Sequence, residues 1–135
     1  MHVIPFSQWR ILFYVDDRGQ NIIRRWLNEL EATDADRWTL QAVLDICEYS
    51  GPDALSSCTR ELGDGFYALT SKHKGGIELS RVFVRGPFGD SEITFLAGAR
   101  IVNKALKPAY AAGVAQEHLD ILREQPYRRR RERIT

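Results

Sequence analysis

The sequence predicts a single α+β domain, and three observations lead there. Residues 66–70, 78–85 and 92–97 form three short strand-like runs separated by Gly-containing polar turns. Two segments with apolar residues at helical spacing precede them, and a third follows. Helices that stand before and after a run of strands, instead of alternating with them, give an antiparallel sheet of about four strands.

The opening run, Trp9-Arg10-Ile11-Leu12-Phe13-Tyr14-Val15, is aromatic and β-branched and stops at the turn signal Asp16-Asp17-Arg18-Gly19, so it reads as the first strand. Ile22, Ile23, Trp26, Leu27 and Leu30 recur at helical spacing behind Asn21, a suitable N-cap. A second helix starts at Thr33-Asp34-Ala35-Asp36 and ends at Ser50-Gly51-Pro52, which makes the pair an αα-hairpin. The stretch from Pro52 to Arg60 reads as a loop. Lys72-His73-Lys74-Gly75-Gly76 and Gly86-Pro87-Phe88-Gly89-Asp90 are hairpin turns between the sheet strands. Alternation along 78–85 puts Arg81 and Arg85 beside Leu79 and Phe83 on one face. After the last strand comes a basic loop with Lys104, then a helix from Pro108 to Glu124 that Pro126 ends.

With 135 residues, 44% of them hydrophobic and 27% charged, the chain can bury one core and has no room for a second. No apolar run approaches the about 18 residues of a membrane span, and residues 1–5 lack a secretory signal's basic head, so a cytoplasmic protein without membrane contact is expected. Cys47, Cys58, His2, His73 and His118 have none of the spacings that hold a metal, and no cofactor is expected. The net charge of +1 is unevenly spread. Residues 1–59 are net −4, residues 60–107 net +3, and residues 126–135 net +4, owing to Arg128, Arg129, Arg130, Arg131 and Arg133 against Glu132. The domain is thus expected over residues 1–125, followed by a basic disordered tail over 126–135.

Five short segments, in this order, carry a resemblance. They are Asp17-Arg18-Gly19 ahead of Arg25-Trp26-Leu27-Asn28-Glu29-Leu30, then Arg60-Glu61-Leu62 ahead of Gly65-Phe66-Tyr67-Ala68-Leu69, then Arg81-Val82-Phe83-Val84, then Glu92-Ile93-Thr94-Phe95-Leu96, and last the Lys-containing loop with its helix. Together they resemble the RelE/HigB toxin superfamily, especially its phage-derived HigB-like branch, over most of residues 9–124. The resemblance implies a small RelE-like fold and the toxin component of a type II toxin-antitoxin system. Such a toxin is an mRNA interferase, an endoribonuclease that cleaves mRNA at the ribosome without a metal and is neutralised by a cognate antitoxin, here of helix-turn-helix type. Carried over by residue, it implies catalytic roles for Arg81, Lys104 and Tyr110.

Those residue types suit the chemistry. Metal-free RNA cleavage needs a base for the ribose 2′-hydroxyl, cations for the phosphorane and an acid for the leaving 5′-oxygen. Arginine offers a planar fork to phosphate, lysine a point charge, and tyrosine a stacking face or a proton. The family's first sheet strand commonly ends in a basic residue, whereas Tyr67-Ala68-Leu69 is followed here by Thr70. Lys72, His73 or Lys74 would have to replace that charge from the turn, and His73 is then a candidate general acid or base. Arg60, Lys72, Lys74, Arg85, Arg100 and Lys107 complete an expected RNA-binding set. Two other readings stay open: a catalytically degenerate RelE-fold prophage protein that acts by binding a protein partner, and a small RNA-binding domain that relies on its arginine tail.

Overall fold

The computed structural model describes residues 9–72, 78–103 and 105–135. Its elements run β1 (Arg10–Tyr14), α1 (Ile22–Glu29), α2 (Asp34–Ser50), a 3₁₀ segment (Pro52–Cys58), β2 (Thr59–Gly63), β3 (Phe66–Lys72), β4 (Glu78–Arg85), β5 (Glu92–Val102), β6 (Ala105–Lys107), α3 (Ala111–Glu124) and β7 (Arg129–Arg130). Among the described residues no helix is long and apolar enough to cross a membrane.

The helix ends follow from local chemistry. Asn21 accepts from the N–H groups of Ile23 and Arg24, at 2.9 and 3.2 Å, and so starts α1. Thr33 and Asp36 form a reciprocal capping box at α2. Gly51, at φ 83° and ψ 167°, provides the positive-φ residue that ends α2, a conformation glycine adopts readily.

The α+β class holds, but the sheet differs from the four-stranded antiparallel one expected. Among the described residues it is mixed and has seven strands, in the order β2-β3-β4-β5-β1-β7, with β6 paired to β5. β1 lies parallel to β5, with Arg10 opposite Glu92 and Phe13 opposite Phe95. The three strands not anticipated are two to five residues long, too short to show a period of their own. The segment expected as a loop before residue 60 is a 3₁₀ turn running into β2, which is held by pairing with β3 rather than by propensity.

The sheet is covered on both faces. Ile11 and Phe13 share a cavity lining with Gln41, Leu44 and Glu48 of α2. Tyr14, the next residue, therefore points the other way, and it stacks on His118 of α3 with ring centres 4.2 Å apart. On the α2 side an aromatic row crosses four strands, from Tyr67 through Phe83 and Phe95 to Phe13, with centroids 5.5, 5.4 and 5.6 Å apart. Each such contact adds about 0.5–1.5 kcal/mol beyond burial. Val82 opposes Ala97 while Phe83 opposes Phe95, so Leu96 is the extra residue of a β-bulge.

The arginine segment is folded onto the domain, which corrects the expected disordered tail. β7 pairs antiparallel with β1, Phe13 opposite Arg130 and Tyr14 opposite Arg129. Arg128 donates to the Val15 carbonyl and the Tyr14 hydroxyl, at 3.0 and 3.1 Å. Arg129 pairs with Glu92 at 2.6 Å, Arg131 with Glu48 at 3.3 Å and Arg133 with Asp45 at 3.6 Å. Ile134 is 1% exposed, and its N–H donates to Gln41. The acidic excess of residues 1–59 and the basic excess of the C-terminal segment thus meet face to face.

This strap is sensitive to acid. Burial alone would raise the Glu92 carboxyl, but Arg129 and the N–H groups of Gly89 and Phe88 hold it below its ordinary value. Asn21 and Arg130 do the same for Glu132. A depressed carboxyl contributes stability that is fully present above its unfolded value and is lost as pH falls through its folded value. Urea midpoints are therefore expected to drop as pH falls below about 4.5, and Glu92→Gln to flatten the drop. Wild-type and variant midpoints that fall in parallel would remove Glu92 from this account.

Candidate functional site

A cleft of about 450 Å³ opens between α1, the C-terminal half of β5, Lys107 of β6 and the start of α3. Arg25, Trp26 and Glu29 of α1, Arg100 and Lys107 of the β5–β6 ladder, and Tyr110 at the start of α3 line it. The sequence builds it simply. Trp26 and Glu29 lie three residues apart on one face of α1. Gly98 lacks the Cβ that would collide with the Trp26 indole, so the ring can lie close over β5.

The charge arrangement is unusual. Arg100 stands directly opposite Lys107 in the β5–β6 ladder, so two cations project from neighbouring positions on one face. Like charges so placed repel. Among the described residues neither enters an ion pair, and both line the cleft. Arg25 adds a third cation, and it bridges Asp16 at 3.1 Å and Glu29 at 3.5 Å. Tyr110 is 69% exposed at the N-cap of α3, a helix with no acidic residue in its first turn, and it lines the cleft together with Ala111.

The sequence-predicted residues divide. Arg100, Lys107 and Tyr110 come together in the cleft. Arg81 does not, and its expected catalytic role needs correcting. It is 0% exposed, because the strand that carries it is buried on both faces between helices. Its Nη2 donates to Ser71 at 2.6 Å, while Nε and Nη1 have no partner among the described residues. Burial lowers its pKa to about 10, so it stays charged at neutral pH without reaching solvent. A phosphate cannot touch it in this conformation.

Arg85 is paired with Asp53 and lies over the Tyr67 ring, and Arg60 is exposed on the edge strand β2, so neither joins the cleft. His73, Lys74 and Lys104 lie outside the described residues, and so does the side chain of Lys72. His118, the one histidine among the described residues, is held by the Leu96 carbonyl at 2.6 Å, and burial lowers its pKa.

Arg25, Trp26 and Glu29 were not anticipated as site residues. On sequence they read as the packing and solvent faces of an amphipathic helix, and only Gly98 on a distant strand frees the indole to form a wall. No family model matches this chain, and no curated protein or solved structure was found to match it.

Proposed function

We propose that this protein is a RelE/HigB-like toxin endoribonuclease whose RNA-binding site is the cleft between α1, α3 and the β5–β6 ladder. The observation that carries the reading is the opposed pair Arg100 and Lys107, whose repulsion an RNA phosphate would relieve. In the reaction the ribose 2′-hydroxyl gives up its proton as its oxygen attacks the adjacent phosphorus, the P–O5′ bond breaks and the leaving 5′-oxygen takes up a proton, so a 2′,3′-cyclic phosphate and a 5′-hydroxyl form with no net change in protons. Arg100 and Lys107 neutralise the phosphorane, and Tyr110 stacks on a base or passes a proton. The partners that follow are mRNA on the ribosome and a small antitoxin, whose reading frame would neighbour this one.

A second reading, RNA binding without cleavage, draws on the burial of Arg81, which removes one expected phosphate ligand. Expression in bacteria and incubation of the purified protein with RNA distinguish the two. Growth arrest and cyclic-phosphate products are expected for the wild type. Arg100→Glu combined with Lys107→Glu is expected to abolish both and to weaken RNA binding at least tenfold. Binding without products would establish the second reading. Undiminished binding by the double variant would remove the cleft from both.

A further inference from the structure

The cleft holds more than cations. Trp26 of α1 and Tyr110 at the start of α3 both line it, and so does the carboxylate Glu29. A site that only gripped phosphate would gain nothing from a carboxylate there, since it repels the ligand. An aromatic face is also unnecessary for that purpose. An unpaired nucleobase needs both: a ring to stack on, and an acceptor for the N–H groups of its Watson–Crick edge.

We propose that the cleft holds one unpaired nucleobase against Trp26 and selects it through Glu29, favouring guanine. The inference rests on the RNA reading above and deepens it. Trp26 is partly exposed, lines the cleft and lies over Gly98 on β5. Glu29 sits one helical turn further on, its side chain 67% exposed, tethered only loosely to Arg25 at 3.5 Å. Guanine presents N1–H and N2–H side by side, matching both carboxylate oxygens. Adenine and cytosine each present one amino group. Uracil flanks its single N3–H with two carbonyl oxygens, which a carboxylate repels. Arg100 and Lys107, which line the same cleft, are then left for the adjoining phosphate, and Arg25 is shared between Glu29 and Asp16.

The test uses fluorescently labelled uridine hexamers that carry a single G, A, C or U at the third position, titrated with the full-length protein. Binding is read by anisotropy and by quenching of tryptophan fluorescence. The G-containing hexamer is expected to bind about tenfold tighter than the all-uridine one. Glu29→Gln is expected to reduce that ratio to within about threefold, with uridine binding itself equal or somewhat tighter once the repelling carboxylate is gone. Trp26→Phe is expected to lose most of the quenching. Equal affinity for the four hexamers, or a G preference that survives Glu29→Gln, overturns the inference while the RNA reading stands. No measurable binding of any hexamer overturns the RNA reading itself.

Discussion

Removal of residues 128–135 is expected to lower the free energy of unfolding by roughly 4 kcal/mol, a large share of what a domain of this size has. The largest part comes from Ile134. It is 1% exposed, and losing a buried aliphatic side chain that leaves a cavity costs about 2–5 kcal/mol. Loss of β7 adds to this by stripping the outer edge of β1 of its backbone partners, and Glu92 by losing Arg129, its 2.6 Å counter-ion. The exposed pairs Arg131 with Glu48 and Arg133 with Asp45 contribute little, since surface ion pairs are worth about 0–1 kcal/mol. Urea unfolding followed by circular dichroism checks the total, with Ile134→Asp as a full-length comparison. A truncated chain as stable as the parent would mean the strap is not part of the fold.

Arg81→Met is expected to act in the opposite direction, raising stability by about 1–3 kcal/mol while leaving RNA binding unchanged. The guanidinium pays for desolvation on every side, and among the described residues it donates one hydrogen bond in return, to the Ser71 hydroxyl. Its neighbour Cys47 cannot serve as counter-ion, because burial pushes that thiol up to about 11 and keeps it neutral. Methionine is of similar length, fits among Leu69, Leu79 and Phe83, and leaves no N–H unsatisfied. Chemical denaturation and oligonucleotide titration of the same variant suffice. A loss of RNA affinity with the fold intact would show that Arg81 reaches ligand after all and would restore it to the site.

How far the sequence foretold this molecule depends on the range of the interaction concerned. Asn21, the Thr33–Asp36 box and Gly51 act within a few residues, and the boundaries they mark are those of α1 and α2. The runs over 66–70 and 78–85 likewise emerged as β3 and β4. β7 could not be read that way. Arg129 and Arg130 are poor strand formers held by β1, a partner more than a hundred positions earlier. The same distance hid the strap, whose arginines find counter-ions on α2 and β5.

Within the candidate site, Tyr110 was singled out by the family resemblance and Arg100 and Lys107 as basic residues around the end of the last expected strand, and all three line the cleft. Arg81 misled for a definite reason. Alternation along 78–85 predicts which residues share a face, but it is silent on whether that face is wet, and α2 covers it. Leu96 adds another complication, since its bulge changes the phase between β4 and β5 at mid-strand.

The parallel pairing of β1 with β5 has a kinetic cost. During synthesis Ile11, Leu12 and Phe13 leave the ribosome about eighty residues before Ile93, Thr94 and Phe95, the residues they must lie beside. Until then an apolar segment of high strand propensity waits without its partner, exposed to other nascent chains. Assembly should accordingly be slow, limited by the search that closes this long loop, and yields on overexpression should favour low temperature and low concentration.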